Sequence, residues 1–342
     1  MSEAAGAQPA APRREPRRVV SGMRPTGRLH LGHYHGAIKN WIAIAQKAEC
    51  FYFSADWHAL TSEYKDTSGI AQAQRDMFAD WIAAGLDPER CTLFIQSRVK
   101  QHAELFLLLG MVTPLGWLER VPTYKEQQEQ LAEKDLNTYG FLGYPALQTA
   151  DVALYGADAV PVGQDQVSHL ELAREIVRKF NHTFAREKPV LVEPHAYLTE
   201  VPKILGIDGR KMSKSYGNAI ELGEEAESAR KKIMGAVTDP ARKRRNDPGN
   251  PDVCGIYYLH KAYSPPETVE LVNRECRTAG IGCVDCKKML LTSLLPALDK
   301  HRAARAQLNE ARVEELVQLG TQKASRVAEE TMVRVRDAVK LT

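Results

Sequence analysis

The chain has 342 residues, 44% of them hydrophobic and 26% charged, the composition of a globular protein with room for about two domains of roughly 100–200 residues. A formal net charge of +3 excludes a broadly basic coat for nucleic acid, so any such surface has to be local, and no apolar run approaches the roughly 18–20 residues of a membrane span. Six cysteines in a chain this long do not make a secreted disulfide framework.

Residues 1–17 read as a disordered arm. The stretch MSEAAGAQPAAPRREPRR lacks the apolar core of a secretory signal, and its Glu residues argue against a transit peptide, which predicts a cytoplasmic protein. RVVSG (18–22) predicts a short buried strand entering a turn at Pro25-Thr26-Gly27. From Tyr34 the apolar residues Ile38, Trp41, Ile42 and Ala45 fall at helical spacing. CFYFSA (50–55) and CTLFIQS (91–97) predict strands with the helical stretch AQAQRDMFADWIAAG between them. AVPVG (159–163) predicts a further strand, and Val167, Leu170, Ala173, Val177 and Phe180 form the apolar stripe of the helix behind it. Strands alternating with helices imply an α/β fold, a Rossmann-like doubly wound parallel sheet over residues 18–224. Strand signals vanish beyond about residue 224, so residues 225–342 are expected to form an all-helical domain. That region carries a basic run, Arg242, Lys243, Arg244 and Arg245.

The segment SGMRPTGRLHLGHYHGA (21–37) places His30, His33 and His35 directly behind the first strand. A dinucleotide fingerprint is absent. Gly22 and Gly27 have P-loop spacing, but Arg28 and Leu29 stand where Lys and Ser/Thr are needed. His30-Leu31-Gly32-His33 at a helix start instead suits phosphate. Free N–H groups and the helix dipole attract it, a bare Gly32 lets a base or ribose approach, and the imidazoles can donate to oxygens that gain charge. The helical phase of positions 30, 33 and 35 does not put all three on one face, which weighs against a metal. DGRKMSKSYGN (208–218) adds Lys211 and Lys214 in a Gly-flanked loop, a pair of ammonium groups suited to a leaving pyrophosphate.

HLGH and KMSKS together resemble the two signatures of class I aminoacyl-tRNA synthetases. Residues 140–181, beginning GFLGYPALQTAD, resemble the amino-acid pocket and G-x-D-Q region of bacterial-type tryptophanyl-tRNA synthetases. ADWHALT (55–61), RVPTYKE (120–126) and TDPAR (238–242) fit the same family, so the resemblance runs from about Val19 to the C-terminus. It implies activation of L-tryptophan with ATP and Mg2+, transfer to tRNA(Trp), and a homodimer. The resemblance puts ATP on Arg24, Thr26, Gly27, Gly32, His33, Gly163, Gln164, Asp165, Ile204, Lys211, Met212, Ser213, Lys214 and Ser215, with His30, His33, Lys211 and Lys214 catalytic. It puts tryptophan on Tyr144, Gln148, Asp151, Val160, Val162 and Gln166. An indole N–H only donates, so its pocket needs one fixed acceptor in an apolar cavity. The family pattern puts that acceptor at Asp151; Gln148 departs from it, standing where many members carry Met.

Cys254, Cys276, Cys283 and Cys286 fall within 33 residues, a cluster that in a reducing compartment suggests metal. Four thiolates can bind Zn2+ or a [4Fe–4S] cluster, and spacing does not separate the two. The run GCVDCKK resembles a subset of tryptophanyl-tRNA synthetases that carry an iron–sulfur cluster in the helical anticodon-binding domain, here residues 225–342. Cys50 and Cys91 read as buried small hydrophobes. The rival readings are a tyrosyl-tRNA synthetase, a catalytically retired RNA-binding paralogue, and a nucleotidyltransferase sharing H-x-G-H.

Overall fold

The computed structural model describes residues 15–121, 136–199, 202 and 204–341. Most of the arm and residues 122–126 of RVPTYKE therefore lie outside the described residues. The sheet has five parallel strands, β1 Arg18–Met23, β2 Glu49–Ser54, β3 Cys91–Ile95, β4 Ala159–Val162 and β5 His195–Leu198, in the order β3-β2-β1-β4-β5. The chain winds outward from β1 to β3, then returns to β4 beside β1. In such sheets ligands bind beyond the carboxyl ends of the strands at this reversal. HLGH follows β1 and the G-x-D-Q segment follows β4, so the topology brings them together.

Strands β2, β3 and β4 read as largely apolar runs because both faces are covered. Val19, Tyr52 and Leu93 belong to one core and Val20, Phe51 and Phe94 to the other. The first helix, α1, begins as one α turn (Leu31–His33), widens to a π turn (Tyr34–Ile38) and continues as α-helix (Lys39–Ile44). The helices α2 (Asp56–Glu63), α3 (Ile70–Ala83), α4 (Gln101–Gly110), α5 (Leu115–Glu119), α6 (Tyr139–Ala153) and α7 (Val167–Phe184) complete the α/β part. Beyond it come α8 (Ala226–Gly235), α9 (Gly255–Tyr263), α10 (Pro266–Arg277), α11 (Cys283–Ala306) and α12 (Glu310–Val339), with no strand among the described residues there.

No strand lies beyond residue 224 among the described residues, but the packing crosses that point. Helix α12 returns to the sheet and lies along β3, giving Val317 to one core and Ala328 and Met332 to the other. It thereby covers an edge strand whose unpaired backbone would otherwise invite association. Gly320 makes this approach possible, because a Cβ there would run into the Leu93 carbonyl. Gly320→Ala is expected to lower stability by about 1–3 kcal/mol, since the obstacle is backbone and cannot swing aside. Urea denaturation measures this, and an unchanged midpoint would contradict the packing.

Candidate active site

The β1–α1 turn closes with Thr26 N–H donating to the Arg24 carbonyl at 2.9 Å and with Gly27 at φ 109°, a conformation that favours glycine. Leu31 N–H donates to Ile220 O and Leu222 N–H to Leu29 O, at 3.0 and 2.9 Å, which stitches the chain after KMSKS to the start of HLGH. Lys214 Nζ consequently lies 3.0 Å from where a Gly27 Cβ would stand. Two signatures far apart in sequence thus meet at a glycine whose missing side chain makes room for an ammonium group.

His30 and His33 stack, with ring centroids 3.7 Å apart. His33 Nδ1 accepts the His30 backbone N–H at 3.3 Å, which leaves Nε2 as the ring's donor towards a ligand. A Cβ on Gly32 would come within 2.9 Å of the His30 ring. The small residue therefore accommodates this imidazole. The KMSKS loop is tied by a residue the sequence did not single out, buried Asn218. Its Oδ1 accepts from Ser213 N–H at 2.8 Å, and its Nδ2 donates to Asp208 at 2.7 Å and to the Lys211 carbonyl at 3.1 Å. Lys211 and Gln164 are exposed, Met212 and Ile204 are buried, and Gly163 opens the turn after β4. The side chains of Asp165 and Ser215 lie outside the described residues.

Burial, followed by the charge of Lys214, lowers His30 to about 4; burial, then His30 and Lys214, lowers His33 to about 3. Burial also lowers Lys214. His35 is lowered to about 4 by burial and then Lys39, and it packs edge-on against Tyr263 of α9 with ring centroids 5.1 Å apart. His35 is thus a contact between α1 and the helical region. The unfolded chain protonates these imidazoles first, so stability is whole above about pH 6.5 and falls towards pH 4 and below. Each contributes a slope of about 1.4 kcal/mol per pH unit in that window. His35→Gln is expected to remove one such increment, read from urea midpoints at several pH values.

Beyond the carboxyl ends of β1 and β2 lies a cavity of about 350 Å³. Of the expected residues, Arg24, Tyr144, Gln148, Asp151 and Gln166 line it. Val160 and Val162 do not; they sit in the sheet core on β4. The sequence reading missed His58, Phe53, Phe141 and His169. His58 stood inside the noted ADWHALT run, but only the fold shows that it faces Asp151. Asp151 is 2% exposed, and its Oδ2 lies 2.8 Å from His58 Nε2. Its Oδ1 receives Gln96 Nε2 and His102 Nδ1, each at 2.7 Å. Burial alone would raise this carboxyl, but the charge of His58 and hydrogen bonds from His102 and His58 hold it at about 2. The cavity therefore ends in an ionised acceptor.

The family model "tRNA synthetases class I (W and Y)" matches residues 12–298. The tryptophan–tRNA ligase of Thermotoga maritima is 48% identical over 95% of this chain and 99% of its own, and that of Ralstonia nicotianae 44% over 96% and 99%. Among solved structures, Campylobacter jejuni tryptophanyl-tRNA synthetase, complexed with ADP and tryptophan, superposes with a TM-score of 0.82 at 31% identity, covering 94% of this chain and 99% of that one. The chain belongs to the class I tryptophanyl-tRNA synthetases. Its activity is that of a tryptophan–tRNA ligase.

The synthetase fold gathers the four cysteines of the helical region. Cys254 caps α9, Cys276 lies on α10, and Cys283 and Cys286 open α11. Burial pushes the Cys286 thiol up to about 12, aided by Cys254, Cys276 and Cys283, so all four lie within electrostatic reach of one another. Arg242 Nη1 stands 3.9 Å from Cys276 Sγ, and His260 Nε2 3.5 Å from Cys286 Sγ. Among the described residues no group of three or more His, Cys, Asp or Glu side chains is arranged to hold a metal ion. Nor is any described helix long and apolar enough to cross a membrane.

Proposed function

We propose that the turn after β1 and the KMSKS loop bind ATP, and that the adjoining cavity binds tryptophan with its indole N–H on Asp151. The observation that carries this reading is the approach of Lys214 to Gly27 beside the His30–His33 pair, next to a cavity that ends on a buried carboxylate. The tryptophan carboxylate attacks the α-phosphate in line and pyrophosphate leaves, so the protein needs no nucleophile of its own. Its residues supply position and charge: neutral His33 donates through Nε2, Lys214 and Lys211 take up the charge of the departing pyrophosphate, and Arg24 stands at the cavity wall. Mg2+ bound with ATP would add charge neutralisation. A ribose hydroxyl at the 3′ end of tRNA(Trp) then attacks the acyl carbon of the adenylate, and AMP leaves. Exchange of labelled pyrophosphate into ATP tests the reading, and activity with tyrosine but not tryptophan would reverse it.

The helices of residues 225–342 are assigned to the tRNA anticodon, in a cytoplasmic enzyme. Exposed Leu107, Met111, Leu115 and Tyr139 form an apolar surface around the end of α4, where Gly110 approaches the Tyr139 hydroxyl, and this favours a second copy of the chain as partner. Met111→Glu is expected to give monomers on sedimentation. Four thiols at one locus, with the positive charges of Arg242 and Lys287 beside them, have the donor chemistry for a [4Fe–4S] cluster or Zn2+. Protein purified without oxygen is expected to be brown; a colourless preparation with one zinc per chain would decide for zinc.

A further inference from the structure

Behind the tryptophan cavity lies a set of buried polar side chains that none of the substrate-binding or catalytic roles uses. His102 is fully buried, with Nδ1 2.7 Å from Asp151 Oδ1 and Nε2 2.7 Å from the Tyr155 hydroxyl. Tyr155 is fully buried as well. Gln96 accepts the Trp57 backbone N–H on Oε1 at 3.1 Å, which fixes its amide with Nε2 donating to Asp151 Oδ1.

Donors and acceptors in this group can be paired in one direction only. A carboxylate has about four acceptor positions and no donor. Nδ1 of His102 therefore carries a proton, since a lone pair there would face Asp151 Oδ1. With the proton on Nδ1, Nε2 is left to accept the Tyr155 hydroxyl, which has no other hydrogen-bond partner among the described residues. Gln96 and His102 fill both positions on Oδ1, and His58 takes one on Oδ2. A single acceptor position is left, on the oxygen shared with His58, which lines the cavity.

We propose that His102 and Tyr155 are positioning residues for amino-acid selection: the chain from the Tyr155 hydroxyl through His102 to Asp151 leaves the substrate one acceptor position and no donor. The proposal rests on the reading of Asp151 as the partner of the indole N–H. Such a site satisfies a group that only donates. Were Asp151 to take up a proton, its O–H would leave the indole N–H opposed by a donor, whereas a phenol oxygen can accept it. His102 thus guards the preference for tryptophan over tyrosine by keeping the carboxyl an acceptor.

The test is pyrophosphate exchange by His102→Leu, His102→Asn and Tyr155→Phe beside Asp151→Asn, with tryptophan and with tyrosine, between about pH 5 and 8. His102→Leu is expected to raise KM for tryptophan about tenfold near neutrality with KM for ATP unchanged, and the rise grows as pH falls. Its preference for tryptophan over tyrosine narrows over the same range. His102→Asn, whose amide can donate near the place of Nδ1, stays within about threefold of the parent. Tyr155→Phe removes one oxygen and keeps the packing, so it carries the test should His102→Leu fail to fold; about a threefold rise is expected. If His102→Leu and Tyr155→Phe keep a parental, pH-independent KM for tryptophan while Asp151→Asn raises it, the positioning chain is wrong and the pocket stands. Equal losses in kcat and in both KM values would also overturn it, as the mark of a merely structural role. An unchanged KM in Asp151→Asn overturns the pocket assignment and the proposal with it.

Discussion

Asp151→Ala is expected to raise KM for tryptophan on the order of 10–100-fold, the loss of a hydrogen bond to a charged acceptor worth about 1.5–3 kcal/mol. The same change leaves three donors, from His58, Gln96 and His102, without their acceptor. It should therefore lower stability by about 3–5 kcal/mol, the range for removing one member of a buried charged group. Pyrophosphate exchange and urea denaturation measure the two effects separately. The pH dependence has a definite sign. The carboxyl is held at about 2, below the value near 3.9 of an unstructured Asp, so its stabilisation is complete above about pH 4 and is lost as pH falls through about 2. KM for tryptophan in the parent should accordingly show no titration of Asp151 between about pH 5 and 8.

Lys214→Ala is expected to lower kcat for adenylate formation about 100- to 1,000-fold with little change in KM for tryptophan, because the ammonium acts on charge that grows only as pyrophosphate departs. Lys214→Arg should not rescue it: the ammonium lies 3.0 Å from where a Gly27 Cβ would stand, and a planar guanidinium is wider. His33→Ala should cost about 10- to 100-fold in the same step, as loss of one neutral donor aimed by the His30 backbone. Burst measurements of adenylate formation distinguish these effects from slow tRNA transfer, and parental rates in both alanine variants would refute the phosphate role.

The family and chemistry were legible in the sequence because short motifs with fixed backbone demands carry them. HLGH lies behind a strand and KMSKS lies between glycines, and both have local requirements that spacing alone expresses. The parallel strands β2 to β4 were equally plain, since strands buried on both faces are largely apolar. Helix α6 escaped notice: Pro145 and two glycines, Gly140 and Gly143, obscure its pattern, and burial of its Asp151 face outweighs their low propensity. The short, partly exposed edge strand β5 had too few residues to show a period.

His58, Gln96 and His102 stood unremarked for a different reason: each comes from a different segment, and they acquire meaning only when three elements place them on one carboxylate. Val160 and Val162 show the converse. The family resemblance puts them at the wall of the pocket, while in the fold these alternate residues of β4 share one face and belong to the sheet core. By itself the sequence determined the fold class, the two signatures and the amino acid, because those rest on local pattern. Only the tertiary structure decided the direction of hydrogen bonding at Asp151, the seat of Lys214 over Gly27 and the return of α12 to the sheet edge, because each is a contact between residues the chain keeps far apart.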